Sequence, residues 1–130
     1  MLSLQDQARQ MAKTDLVRQQ SEGLASSMFT AFSVDALGDD VGAWFSDVIR
    51  ASVQLGVGLA GVELDRYGPP ADKMHPMVWG ALADFCLSFP EDVIPTRYHQ
   101  SLGYCIRVGH YVTRTGRPGY EAVLSRIRSA

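Results

Sequence analysis

This chain has no paired-cysteine motif, no alternating apolar and polar run bounded by hairpin turns, and no apolar stretch long enough to cross a bilayer. Each absence removes a class. Cys86 and Cys105 stand apart among apolar residues, so no C-x-x-C redox pair or paired-cysteine metal set is encoded. Reduced, buried thiols of a cytosolic protein are the expectation. Without period-two runs there is no basis for a sheet. The longest membrane-like stretch, Ala51 to Val62, is too short to span. The opening Met1-Leu2-Ser3-Leu4-Gln5-Asp6 turns polar at once, unlike a signal peptide, and a cytoplasmic location follows as the expectation.

Lysine is also scarce, since ten of the twelve basic residues are arginine. A guanidinium is a planar fork that grips phosphate or carboxylate bidentately. The net charge of −2 does not indicate a bulk polyanion binder, but its distribution is uneven. Asp35 to Asp92 carries ten acids and three bases, whereas Arg97 to Ala130 carries six arginines and one acid, Glu121. The basic end therefore either faces an external anion or packs beside the acidic middle, within the chain or between copies.

What is present is helical periodicity. With 130 residues and 46% hydrophobic composition, the chain fits one globular domain, residues 1–130. Ser3 is placed to cap a first helix with Asp6 in its first turn, and Leu4, Ala8, Met11 and Ala12 recur at helical spacing. Leu24, Met28 and Phe32 continue the pattern past Gly23, giving one long helix weakened there or two shorter ones, closed by a loop from Ser33 to Gly38. Asp39 and Asp40 open the next helix, where Val41, Phe45, Val48, Ser52, Leu55, Leu59 and Val62 step by 4, 3, 4, 3, 4 and 3. Trp44 and Ile49 widen that face.

Tyr67-Gly68-Pro69-Pro70 breaks the chain, in a loop that runs to His75. Its apolar residues suit either a partner or the bundle itself. Pro76 suits a first helical turn, and Val78, Leu82, Phe85 and Phe89 follow before Pro90. After a turn through Val93 and Ile94, a helix runs from about Pro95 to Thr115, its core side formed by Tyr98, Leu102, Cys105, Val108 and Val112. Gly116-Arg117-Pro118-Gly119 is a break, and Tyr120, Val123, Leu124 and Ile127 form a short last helix. The expectation is an all-α, compact single-domain bundle of about five helices.

No motif fixes a reaction. Gly56-Val57-Gly58-Leu59-Ala60-Gly61 matches the dinucleotide fingerprint, yet it lies inside the 4-3 helical pattern with no βαβ unit around it. Small residues that let helices approach, or a bend near Gly56 or Gly58, are the expectation there. His75, His99 and His110 make no ligand set: the last two are eleven residues apart, about 16 Å along a helix. The cysteines sit at core positions, and Asp39 with Asp40 complements a helix dipole more simply than it forms a catalytic pair. No catalytic residue, metal or cofactor is assigned, and a non-enzymatic protein is expected.

The informative feature is one side of the Pro95–Thr115 helix. Arg97, Gln100, Tyr104, Arg107, Tyr111 and Arg114 occupy an arc of about 100°, and Arg117 adds charge nearby. Arginine interleaved with tyrosine suits a phosphate backbone, an exposed base or an acidic protein face. In size, helical pattern and basic face the chain loosely resembles the small helical subunits of CRISPR effector complexes, an analogy of class features without a shared motif. It implies an RNA-binding or other nucleic-acid-binding part in an antiviral nucleoprotein assembly. The alternative expectation is a protein-only adaptor or inhibitor of the phage or plasmid type, docking its basic face on an acidic protein surface or on another copy.

Overall fold

The computed structural model describes residues 2–31, 42–68, 74–89, 94 and 96–115, without the side chains of 31, 42–44 and 97. All regular elements there are helical: α1 (Leu4–Ala12), α2 (Asp15–Ala31), α3 (Gly42–Tyr67), α4 (Pro76–Leu87), a 3-10 turn (Thr96–Tyr98) and α5 (His99–Thr115). The all-α bundle of about five helices is thus the observed architecture. No described helix is long and apolar enough to cross a membrane. The expected helix start at Asp39–Asp40, the loop before it, Val41, the turn at Val93, and the break and last helix beyond Gly116 lie outside the described residues, as does the Trp44 side chain.

Local chemistry sets the helix ends. Ser3 caps α1, its Oγ accepting from the Asp6 N–H at 3.1 Å. The chain then breaks at Lys13–Thr14, and α2 passes through Gly23 without interruption. Thr14 explains the position: its hydroxyl donates to the Met11 carbonyl at 2.8 Å and accepts from the Val17 N–H at 3.4 Å. One side chain thereby serves an orphan carbonyl of α1 and an orphan amide of α2. Gly23 weakens α2 without breaking it, because Val17, Ser21, Ala25 and Met28 hold its buried side. A Cβ at Gly23 meets nothing within 4 Å. Gly23→Ala is therefore expected to raise stability by about 0.5–1 kcal/mol, read as a shift in the urea midpoint with unchanged slope.

α3 is the central element. Phe45, Ile49, Val53, Val57, Leu59, Ala60 and Val62 are buried because α1, α2 and α5 all pack on it. The fingerprint glycines serve this packing, and α3 runs through them unbroken, so no helix-breaking bend forms. A Cβ on Gly56 would strike the Ile106 carbonyl and stand 2.8 Å from the His110 nitrogen of α5. One on Gly58 would stand 2.6 Å from the Ala8 carbonyl of α1. Gly109 returns the contact, its missing Cβ lying 2.5 Å from the Val53 carbonyl. Backbones on two sides of α3 approach where side chains are absent.

α4 starts as expected at Pro76, with His75 as N-cap accepting from the Met77 N–H at 3.1 Å. The Tyr67 ring stacks on His75 at 4.1 Å, which ties the end of α3 to the start of α4. The inward side of α4 is Val78, Ala81, Leu82 and Phe85, while Met77, Trp79 and Leu87 are exposed. The 3-10 turn buries the expected Tyr98, and α5 buries Leu102, Cys105 and Val108, with Val112 packed beside them. α5 also buries Ile106 on a second side, in one cluster with Leu59 of α3 and Val78 and Leu82 of α4, and His110 against Glu63 of α3.

Candidate docking groove between α4 and α5

Two helices supply matching two-turn walls. On α5, Arg107, His110, Tyr111 and Arg114 follow at intervals of 3, 1 and 3, and so share a side. On α4, Trp79, Leu82, Ala83 and Cys86 do the same, with Met74 ahead of them. They enclose a half-open cavity of about 750 Å³, within the range of ligand and peptide clefts. The α4 wall is apolar and the α5 wall is polar and basic.

Beneath the α5 wall lies a buried polar cluster. Glu63 of α3 has only 7% of its side chain exposed. Its Oε2 is 2.7 Å from His110 Nε2, and its Oε1 accepts from Arg114 Nε at 3.0 Å. Burial lowers the His110 pKa below its usual range, more than Glu63 raises it, and Arg114 pushes the same way as burial. The imidazole is therefore neutral at pH 7, and because a carboxylate only accepts, Nε2 carries the hydrogen. The contact is a hydrogen bond, and the ion pair is Glu63 with Arg114. No buried side-chain nitrogen or oxygen among the described residues lacks a partner.

This cluster makes stability depend on pH. His110 binds its proton less readily folded than unfolded, so its contribution is complete above the ordinary histidine pKa of about 6.5 and is lost as pH falls through the lower folded value. Urea midpoints at pH 7.5 and 5.0 should show the wild type losing more than His110→Gln, which keeps a donor toward Glu63 without titrating. Equal losses would remove His110 as the cause.

The arginine–tyrosine side divides. Gln100 and Arg107 are exposed, Tyr111 is 41% exposed, and Tyr104 is half-buried with the Arg107 guanidinium 5.9 Å above its ring. Arg107, Tyr111 and Arg114 meet in the groove, whereas Gln100 and Tyr104 do not line it. Arg114 turns inward, 15% exposed, onto Glu63. There the basic end does meet the acidic middle within the chain. Arg97 lies in the 3-10 turn with its side chain outside the described residues, and Arg117 lies wholly outside them.

The remaining histidine and cysteines are structural in their contacts. His99 Nε2 donates to the Ile94 carbonyl at 2.9 Å while its ring packs on Phe89. Cys105 is fully buried, and burial pushes its thiol up. Cys86 lines the groove with its thiol toward the Gly103 carbonyl at 3.7 Å. Burial raises its pKa too, and the nearby Arg107 offsets only part of that. Both therefore stay protonated at neutral pH, unlike an activated nucleophile.

Sequence reasoning passed over Trp79, Leu82, Ala83 and Cys86 as a wall, and Glu63 and His110 as a pair. The signals were present. α4 carries a single charge, Asp84, and is apolar all round, which a helix buried on one side does not need. Glu63 directly follows Val62, the last position of the strongest apolar stripe, so burial obliges it to find a cation. No family model, curated protein or solved structure matches the chain.

Proposed function

We propose that this chain is a non-catalytic protein-docking module of a larger assembly, whose interface is the α4–α5 groove with the outward side of α4. The carrying observation is that Trp79, 58% exposed, lines the groove with Met74 and Leu82 across from Tyr111 and Arg107, while the same short helix also exposes Met77 and Leu87. Isolated exposed apolar residues need no explanation, but an exposed tryptophan that continues an apolar groove wall through Leu82 and Ala83 marks an interaction surface. Tryptophan, tyrosine and arginine together are the residues on which interface energy concentrates.

A second reading, contact with a nucleic-acid backbone, is favoured by the side of α5 that presents Gln100, Tyr104, Arg107 and Tyr111 outward. Against its weight, Arg114 already has a carboxylate, so fewer charges on this row are available to phosphates.

Photo-crosslinking separates the two. A photoreactive phenylalanine analogue at 79 or 87, in cells that produce the chain, should give a discrete protein adduct, and one at Glu22 on α2 should not. Adducts that form only at 107 and are removed by nuclease would favour nucleic acid. No adduct from 79, 87 or 107 would overturn both readings.

A further inference from the structure

Resting on that docking reading, we infer that the groove receives an acidic amphipathic helix of a partner protein, about two turns of which lie between α4 and α5. The two walls require an occupant with two sides. A wholly apolar segment would strip water from Arg107 without replacing its hydrogen bonds, and a wholly polar one would leave the Trp79 wall wet. The charge on offer is positive: Glu63 balances Arg114, so Arg107 sets the sign and calls for a carboxylate.

Dimensions and backbone chemistry select a helix over a strand. Residues 79–86 and 107–114 each span seven steps, about 10 Å or two turns. That length matches two turns of a helix laid along the groove between the two walls. A β-strand would need main-chain partners from a sheet edge, and the described residues offer only helices and no such edge. A helix brings its own hydrogen bonds, setting leucine-like side chains against Trp79 and Leu82 and an acid opposite Arg107.

The full chain, labelled with ¹⁵N, tests this by titration with a designed helical peptide bearing leucines on one side and glutamates on the flank. Saturable amide shifts should concentrate on α4 and α5. A version with lysine for glutamate should bind about tenfold more weakly, a difference of about 1.4 kcal/mol. Arg107→Glu should reverse that order, and Trp79→Ala should weaken both peptides. No shifts on α4 and α5 at millimolar acidic peptide, equal binding of both peptides, or an order unchanged by Arg107→Glu would overturn the inference. So would a single-stranded oligonucleotide that displaces the peptide from the same amides at lower concentration. Protein adducts at 79 and 87 without a preference for the acidic peptide would sink the helix class alone, whereas absence of those adducts would sink the docking reading itself.

Discussion

Gly56→Ala is expected to destabilise the fold by about 3 kcal/mol, from the cost of overpacking a well-packed site. That is a large share of the 5–15 kcal/mol that holds a typical domain together. On helix propensity alone the change should stabilise by up to about 1 kcal/mol, since alanine is the better helix former. Packing reverses the sign. The new methyl would meet the carbonyl of Ile106 and, at 2.8 Å, the nitrogen of His110. Both are backbone atoms of a helix and neither can rotate away. α5 must move off α3, and that loosens Val53, Val57, Ile106 and Val108 together. Gly23→Ala is the matched control, because it makes the same chemical change in a helix with no neighbour within 4 Å. Opposite shifts in the urea midpoints are the expected result. If both variants stabilise, the α3–α5 approach is looser than the structure has it.

The same glycines show what a one-dimensional pattern carries. The 4-3 repeat through α3 identified a helix and argued against a nucleotide loop, because periodicity is a local property. It could not say that the gaps at Gly56 and Gly58 face different neighbours, α5 and α1, since that depends on where distant helices lie. The break between α1 and α2 was misplaced for a related reason. Gly23 stands out by propensity, whereas Thr14 acts by offering one hydroxyl to two helix ends. On α5 the expected core side was correct, but pairing with α4 buried a second side and narrowed the outward face. Arg114 belongs to that narrowed part, so its partner was legible only as a sign of charge and not as Glu63.

Glu63→Ala should cost about 3 kcal/mol, the low end for removing one member of a buried ion pair, because Glu63 is buried while Arg114 lines the half-open groove. With Glu63 gone, the Arg114 guanidinium, 15% exposed, loses its carboxylate, and the His110 Nε2–H loses its acceptor. The cost arises from what is left behind, so it depends on the replacement. Replacing all three members together, as Glu63→Leu, His110→Phe and Arg114→Met, should cost less than Glu63→Ala alone, because the Glu63–Arg114 pair is then removed whole and not broken. Glu63→Gln should fall between, since its amide can still accept from Arg114 while His110 takes the other tautomer. That variant also connects the cluster to the groove above it. Removing one negative charge beneath the α5 wall while the fold persists takes the Glu63 carboxylate from Arg114 and makes the groove more positive. The acidic helical peptide should then bind more tightly than to the wild type and with a steeper dependence on salt. A Glu63→Gln variant that folds but binds the peptide no better would mean that the groove reads Arg107 alone, with the buried cluster holding the helices in register and nothing more.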